Sequence, residues 1–207
     1  MRLVIGEDSV LFREGLTRLL TEAGHDVVAS VGDAPRLLDA VRTHLPDLAI
    51  IDVRMPPTLT DDGARAAVTL RRELPKQPML LLSQHIETRH SVPLVGSGAF
   101  GYLLKDRVLR VDDFLDAIRR VSAGGSALDP DVVSALIHSG RPGEALHRLS
   151  SREREVLTLV AEGRTNAAVA KQLVLTERTV ETHMRAIFQK LRLADSGDDH
   201  RRVLGPC

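Results

Sequence analysis

Short apolar runs alternate with helical patterns over the first 125 residues of this 207-residue chain. Five runs read as strands, and they cover residues 3–6, 26–31, 48–51, 79–82 and 100–104. The third and fourth runs contain only apolar residues, as expected of strands that are buried on both faces. Strands that alternate with helices favour right-handed crossovers and a sheet covered on both sides. The sequence therefore predicts an α/β domain built on a doubly wound, five-stranded parallel sheet.

The segment between the fourth and fifth strands departs from this regularity. Pro93 falls where a helix is expected, and Gly96 and Gly98 follow it closely. Proline inside a helix removes a backbone hydrogen bond and clashes with the preceding turn. We therefore expect this helix to be short, kinked or mobile.

Residues 148–204 read as helices without strands. Ser150 and Glu153 form a capping box at the start of the first of these helices. Thr176 is a favourable N-cap for the last long helix, whose apolar stripe indicates one buried face. Residues 139–143 combine Ser, Gly and Pro, which break regular structure. We predict a first domain over residues 1–122, a linker over residues 123–147 and a small all-α domain over residues 148–207.

The formal net charge of zero hides an uneven distribution. Residues 148–192 contain nine basic and five acidic side chains, a balance that indicates a polyanionic partner or simply a solvated helical surface. No apolar stretch is long enough to span a membrane, and the N-terminal apolar run is too short for a signal peptide. The single cysteine, Cys207, excludes an internal disulfide. We expect a cytoplasmic protein without membrane association.

Five polar side chains fall at the carboxyl ends of the predicted strands. They are Glu7, Asp8, Asp52, Ser83 and Lys105. In an open parallel sheet these ends line one edge, where ligands bind, so the five side chains are expected to meet in one pocket. Clustered carboxylates, a hydroxyl and an ammonium group are the parts that hold a divalent cation and a phosphoryl group.

A phosphoryl group on Asp52 requires a cation, because the neighbouring carboxylates otherwise repel it. Mg²⁺ takes oxygen ligands and keeps several waters. Asp8 and Asp52 are expected to supply two oxygens and the main-chain carbonyl of Arg54 a third, with Glu7 acting through a bound water. Lys105 is expected to neutralise one phosphoryl oxygen as a point charge, and Ser83 to hydrogen-bond another.

These residues resemble the receiver domain of bacterial two-component response regulators, over residues 1–122. The matching segments are the acidic pair at 7–8, residues 50–56, residues 80–83 and residues 98–105. The resemblance implies a flavodoxin-like fold, Mg²⁺ as cofactor and a sensor histidine kinase as phosphoryl donor. The roles that it implies are phosphoacceptor for Asp52, metal-site acids for Glu7 and Asp8, phosphoryl contacts for Ser83 and Lys105, and the switch aromatic for Tyr102.

Residues 148–193 resemble the LuxR-type helix-turn-helix of NarL/FixJ regulators, on the motif segments 149–157, 161–166 and 179–184. In such domains the second helix of the pair enters the major groove of double-stranded DNA. The resemblance implies a homodimer on paired half-sites. It places Glu181, Thr182 and Arg185 at base-facing positions and makes Thr165, Arg178, Thr179, His183 and Lys190 candidates for phosphate contacts.

The leading interpretation is a phosphorylation-controlled, DNA-binding transcriptional regulator rather than an enzyme. Two alternatives stay open: a DNA-binding regulator whose receiver does not use phosphate, and a protein-interaction adaptor that keeps the helical fold without binding DNA. A phosphatase with Asp52 as nucleophile fits less well. The haloacid-dehalogenase-like pattern needs a second acid two residues later, and Arg54 stands there.

Overall fold

The computed structural model describes residues 1–85, 94, 99–132, 149–161, 164 and 166–195. The chain divides into two compact units, residues 1–132 and 133–207. Pro93 and Thr165 lie outside the described residues, as does most of the predicted linker. Within the part of the chain that is described, no helix is long and apolar enough to cross a membrane.

One parallel sheet organises the first unit, with the strand order β2-β1-β3-β4-β5-β6. The strands are β1 (Arg2–Gly6), β2 (Asp26–Val31), β3 (Leu48–Asp52), β4 (Met79–Ser83), β5 (Phe100–Leu104) and β6 (Ser126–Leu128). The helices whose full length is described are α1 (Val10–Glu22), α2 (Ala34–His44), α3 (Asp62–Glu73), a 3₁₀ helix (Lys105–Leu109) and α4 (Val111–Ser122). The order reverses between β1 and β3, so the predicted doubly wound fold is confirmed and its ligand-binding crevice is expected there.

Within the described residues the sheet has six strands instead of the five predicted. Residues 126–128 were expected to belong to the linker, yet they pair in parallel with β5, from Phe100 opposite Ser126 to Tyr102 opposite Leu128. A three-residue strand is too short for its apolar alternation to be recognised in a sequence. The next residue, Asp129, is fully buried, and its carboxylate accepts a hydrogen bond from Arg107 Nε at 2.8 Å.

Both faces of the sheet are covered, which explains the apolar runs. β3 and β4 are buried along their whole length. Alternate strand residues such as Ile5 and Ile50 pack with Leu20 of α1 and Phe114 of α4 in one core cluster. The residues between them face the opposite side, where α2 contacts β1 and α3 contacts β3.

Three helices form the described part of the second unit: α5 (Ser151–Ala161), α6 (Asn166–Leu173) and α7 (Glu177–Asp195). The predicted capping box is present, because Ser150 N donates to Glu153 Oε2 at 2.7 Å and Glu153 N donates to Ser150 Oγ at 3.2 Å. Thr176 caps α7 by accepting a hydrogen bond from Thr179 N at 3.1 Å. A short turn between α6 and α7 gives the predicted helix-turn-helix.

Candidate functional site

Three carboxylates converge where β1 and β3 end. Gly6 pairs with Ile51, so Glu7 and Asp52, each one residue further along, leave the sheet side by side. Carboxylate oxygens of Glu7, Asp8 and Asp52 all lie within 4.8 Å of one another. Glu7 and Asp52 are buried, whereas Asp8 is partly exposed. Negative charges this close require a cation or protons among them, and oxygen donors of this kind suit a hard divalent cation.

Lys105 bridges the two buried acids. Its Nζ lies 2.7 Å from Glu7 Oε2 and 2.9 Å from Asp52 Oδ2. The same ammonium lies 4.9 Å from the ring centroid of Phe12 on α1, a cation–π contact. Burial lowers the pKa of Lys105, but the hydrogen bonds to Glu7 and Asp52 outweigh burial and the net pKa is raised. The ammonium therefore stays charged and partly neutralises the cluster.

The two buried acids are less acidic than ordinary carboxyl groups. Burial, with a smaller contribution from the charge of Asp52, raises the pKa of Glu7 to about 7, against the opposing hydrogen bond from Lys105. Burial also raises the pKa of Asp52, opposed by Lys105 and by the hydrogen bond from Arg54 N to Asp52 Oδ1 at 3.2 Å. A bound cation would favour the ionised form of both acids.

Ser83 and Tyr102 share one main-chain acceptor. Ser83 Oγ donates to the His85 carbonyl oxygen at 2.6 Å, and the Tyr102 hydroxyl donates to the same oxygen at 3.3 Å. Both side chains are buried, and the Tyr102 ring is fully enclosed. Sequence patterns do not reveal this acceptor, because it is a backbone atom of an irregular loop.

A cavity of about 310 Å³ opens over the cluster, and its lining includes residues that the sequence did not single out. The lining residues are Asp8, Ser9, Asp52, Arg54, Leu59, Gln84 and Lys105. The loop after β3 contributes Leu59, and the loop after β4 contributes Gln84. Arg13 is a further missed residue: its Nη1 donates to the Glu7 carbonyl at 2.6 Å from the first turns of α1. Such a contact follows from α1 beginning directly after the acidic pair.

A second cavity, of about 610 Å³ and mostly apolar, adjoins the first along α1 and the 3₁₀ helix. Phe12, Leu16 and Val108 form part of its lining. Leu11 and Leu109 also line it, and both are almost fully exposed. Lys105 lines both cavities, so the apolar surface reaches the polar site.

The seven predicted DNA contacts in the described residues all lie on α7, and the six before Lys190 fall into three groups. Arg178, Thr182 and Arg185 are exposed and follow the spacing of a single helix face. Glu181 and His183 are half-buried. Thr179 belongs to the cap, with its hydroxyl 2.8 Å from that of Thr176. The exposed group lies on the surface of α7.

Lys190 makes a contact that the sequence analysis did not predict. Its Nζ lies 2.7 and 2.6 Å from the two carboxylate oxygens of the buried Glu153. Burial alone raises the pKa of Glu153, but the hydrogen bonds from Lys190 and Ser150 outweigh it and the net pKa is lowered. This ion pair ties α7 to the capping box of α5.

Both parts of the chain match known protein families. The response regulator receiver domain matches residues 3–119, and the LuxR family of bacterial regulatory proteins matches residues 147–198. A receiver sheet followed by a helix-turn-helix defines a class of transcriptional regulators. The chain belongs to the two-component response regulators of the NarL/FixJ type, which confirms the family inferred from the motifs.

Named relatives align with almost the whole chain. The probable transcriptional regulatory protein NarL of Mycobacterium tuberculosis is 36% identical over 199 residues, which are 94% of this chain and 89% of NarL. LiaR of Bacillus subtilis is 33% identical over 202 residues, 94% of this chain and 92% of LiaR.

Solved structures show the same fold. The response regulator ChrA of a heme-sensing two-component system is 28% identical, with a TM-score of 0.51 over 93% of this chain and 96% of ChrA. RcsB of Salmonella typhimurium is 23% identical, with a TM-score of 0.56 over 93% of each chain.

Proposed function

We propose that this protein is a cytoplasmic transcriptional regulator whose DNA binding is controlled by phosphorylation of Asp52. The observation that carries the proposal is the position of Asp52, buried at the sheet edge within 4.8 Å of two further carboxylates and 2.9 Å from Lys105 Nζ. The chemistry is regulatory: Asp52 accepts a phosphoryl group and later releases it as phosphate, and the product is a changed receiver rather than a metabolite.

The acidic cluster fits Mg²⁺ as the cofactor. Asp8 and Asp52 each offer a carboxylate oxygen, the Arg54 carbonyl is a third donor, and Glu7 acts through a bound water. When bound, Mg²⁺ neutralises the cluster and shields the charge of the phosphoryl group. Burial raises the pKa values of Glu7 and Asp52 despite their contacts with Lys105, and a bound cation would favour the ionised form of both acids.

Phosphoryl transfer begins with attack by an Asp52 carboxylate oxygen on phosphorus. The bond between that phosphorus and the imidazole nitrogen of a sensor histidine kinase breaks, and the imidazole keeps the electron pair. The Lys105 ammonium, which already contacts Asp52, then binds a phosphoryl oxygen. Ser83 turns from the His85 carbonyl to another phosphoryl oxygen, which leaves that carbonyl to Tyr102 alone.

The apolar cavity beside the acidic site is a suitable surface for contact with a sensor histidine kinase. A phosphohistidine must approach Asp52 from the open edge of the sheet, and the exposed Leu11 and Leu109 border that approach. Exposed apolar side chains next to a polar reaction site are typical of a protein contact surface. We assign this surface to docking of the cognate sensor histidine kinase.

The second unit is assigned to double-stranded DNA, bound as a homodimer on paired half-sites. α7 is proposed to enter the major groove, with Glu181, Thr182 and Arg185 facing the bases. An arginine there is suited to bidentate binding of guanine. The proposed phosphate contacts are Thr165, Arg178, Thr179, His183 and Lys190, the last only when its ammonium leaves Glu153.

Phosphotransfer tests the proposal. Purified protein with Mg²⁺ and radiolabelled acetyl phosphate should become labelled, and Asp52→Asn should not. Asp113→Asn, the same substitution at an exposed position of α4, should become labelled to the same extent as the wild type. Unlabelled wild-type protein, or label retained by Asp52→Asn, would contradict the assignment of Asp52.

One observation favours a second candidate, a regulator whose receiver does not need phosphate. The Tyr102 ring is fully buried in this structure, which is the inward position that the family associates with phosphorylation. DNA binding measured with and without acetyl phosphate separates the two. Equal affinity of the wild type under both conditions, and of Asp52→Asn, would favour the second candidate.

A further inference from the structure

The loop between β3 and α3 holds a leucine in an unfavourable backbone conformation. Leu59 has φ 58°, in the left-handed region, where a side chain with a Cβ is disfavoured by roughly 1–2 kcal/mol. Its side chain is 54% exposed, so burial in the core does not compensate for the strain. Leu59 lines the cavity over Asp52. Strain that persists beside a reactive group indicates a functional constraint.

Hydrogen bonds on both sides of Leu59 hold it in place. Its N donates to the carbonyl of the fully buried Met55 at 3.1 Å. Thr58 N donates to Asp62 Oδ2 at 3.0 Å, and the Thr58 hydroxyl donates to the same oxygen. Arg65 Nη2 donates to Asp62 Oδ1 at 2.8 Å, so the network is anchored in α3. The backbone of Leu59 is therefore held in place beside the cavity.

Leu59 differs in chemistry from the rest of the cavity lining. The other six lining residues all carry polar or charged side chains. An apolar group among them does not bind a cation or a phosphoryl oxygen, but it does displace water. Water is the nucleophile that hydrolyses an aspartyl phosphate, so its access to the phosphorus shortens the lifetime of the phosphorylated state.

We infer that Leu59 excludes water from the phosphoryl group on Asp52 and thereby sets how long the phosphorylated state lasts. The inference rests on the proposed function. In the hydrolysis that it slows, a water oxygen forms a bond to phosphorus and the bond between phosphorus and the Asp52 oxygen breaks. The Asp52 carboxylate is regenerated with the electron pair of the broken bond, and both protons of the water leave with inorganic phosphate as dihydrogen phosphate.

The test measures the decay of labelled full-length protein. Protein labelled by acetyl phosphate and Mg²⁺ is separated from the donor, and release of inorganic phosphate gives a first-order rate constant. Leu59→Gly removes the side chain and also the strain, so this variant should fold at least as well as the wild type. Leu59→Asn places a polar side chain that tolerates the left-handed region, and Leu59→Met keeps an apolar side chain of similar volume.

A second leucine provides a matched control. Leu45 at the end of α2 also has a left-handed φ, of 42°, and is 60% exposed, but it does not line the cavity. Leu45→Gly should change stability as Leu59→Gly does and leave the decay rate unchanged.

We expect Leu59→Gly and Leu59→Asn to shorten the half-life by about threefold or more, and Leu59→Met to stay near the wild type. A wild-type half-life in Leu59→Gly and Leu59→Asn, with normal labelling, would overturn the inference and leave the proposed function standing. Absence of label in the wild type would overturn both.

Discussion

At the scale of single residues, the position of Asp52 depends on a neighbour without a side chain. Gly63, in the first turn of α3, donates its N–H to the Val53 carbonyl at 3.1 Å. A Cβ atom on Gly63 would lie 1.8 Å from the Asp52 carbonyl oxygen and 3.1 Å from Met55 Cε. The helix can begin this close to the site only because that atom is missing.

Gly63→Ala should therefore displace the end of β3 and lower both stability and phosphorylation. We expect a loss of about 2 kcal/mol in the free energy of unfolding, since the clash is with backbone. Gly15→Ala in α1 is the control, because a Cβ there meets nothing within 4 Å and alanine favours a helix. Urea unfolding and acetyl phosphate labelling check the pair, and equal stability of the two variants would contradict the clash.

The raised pKa of Glu7 predicts a pH-dependent stability. A carboxyl group whose pKa rises from 4.5 to about 7 on folding stabilises the metal-free protein most below pH 4.5. This contribution is lost as the pH rises through 7, because the folded protein must then ionise a buried acid. Part of the dependence belongs to Asp52, whose pKa shifts in the same direction.

Glu7→Gln should raise the melting temperature of the metal-free protein by a few degrees at pH 8 and by little at pH 5. Mg²⁺ should raise the melting temperature of the wild type at pH 8. Glu14→Gln, the same substitution at an exposed position of α1, should have the melting temperature of the wild type at both pH values. Thermal unfolding followed by circular dichroism measures these shifts, and a wild type more stable than Glu7→Gln at pH 8 would refute the assigned cause.

At the scale of helices, one ion pair joins α5 to α7. Lys190 holds both carboxylate oxygens of the buried Glu153, which also caps α5 through Ser150. Lys190→Met should cost about 1–3 kcal/mol of unfolding free energy, because it leaves a buried carboxylate without its charged partner. Chemical denaturation of the second unit measures the loss, and Glu153→Gln in the same chain should restore part of it.

DNA binding by the same variants separates the two roles of Lys190. Loss of a phosphate contact reduces the slope of log affinity against log salt by about one, whereas loss of helix packing lowers affinity without that change. Arg178→Met, at an exposed position, should show the reduced slope. A reduced slope in Lys190→Met would mean that its ammonium leaves Glu153 for DNA.

The turn between α6 and α7 contains a strained valine. Val174 has φ 55°, and its side chain is 91% exposed. Val174→Gly should stabilise the second unit by about 1 kcal/mol, because glycine adopts this conformation without steric cost and no packing is lost. Val10→Gly at the start of α1, where the side chain is 62% exposed and φ is ordinary, should instead destabilise the first unit. Thermal unfolding would contradict the argument if both substitutions raised the melting temperature or both lowered it.

At the scale of the whole molecule, one unit is the receiver domain and the other carries the helix-turn-helix. Arg185→Met should weaken binding of phosphorylated protein to a selected DNA site by about 1–3 kcal/mol and relax the base preference at one position. Fluorescence anisotropy with DNA selected from a random library measures this. An unchanged preference would exclude Arg185 from base contact.

The sequence alone determined the features that depend on local periodicity. Alternating apolar runs predicted the doubly wound sheet, and the acids that follow the runs predicted the site, because parallel strands end at one edge. The capping box of Ser150 and Glu153 was also predicted from the sequence, since its partners are three residues apart. The number of strands could not be predicted, because β6 has only three residues.

Tertiary structure decided which groups meet. Lys105 lies 98 positions from Glu7 and 53 from Asp52 in sequence, and only the folded sheet joins them in one bridge. The carbonyl shared by Ser83 and Tyr102, and the place of Leu59 at the cavity, also arise from loops without periodic pattern. Periodicity specifies which face of an element is buried, whereas contacts between distant side chains depend on how the elements pack.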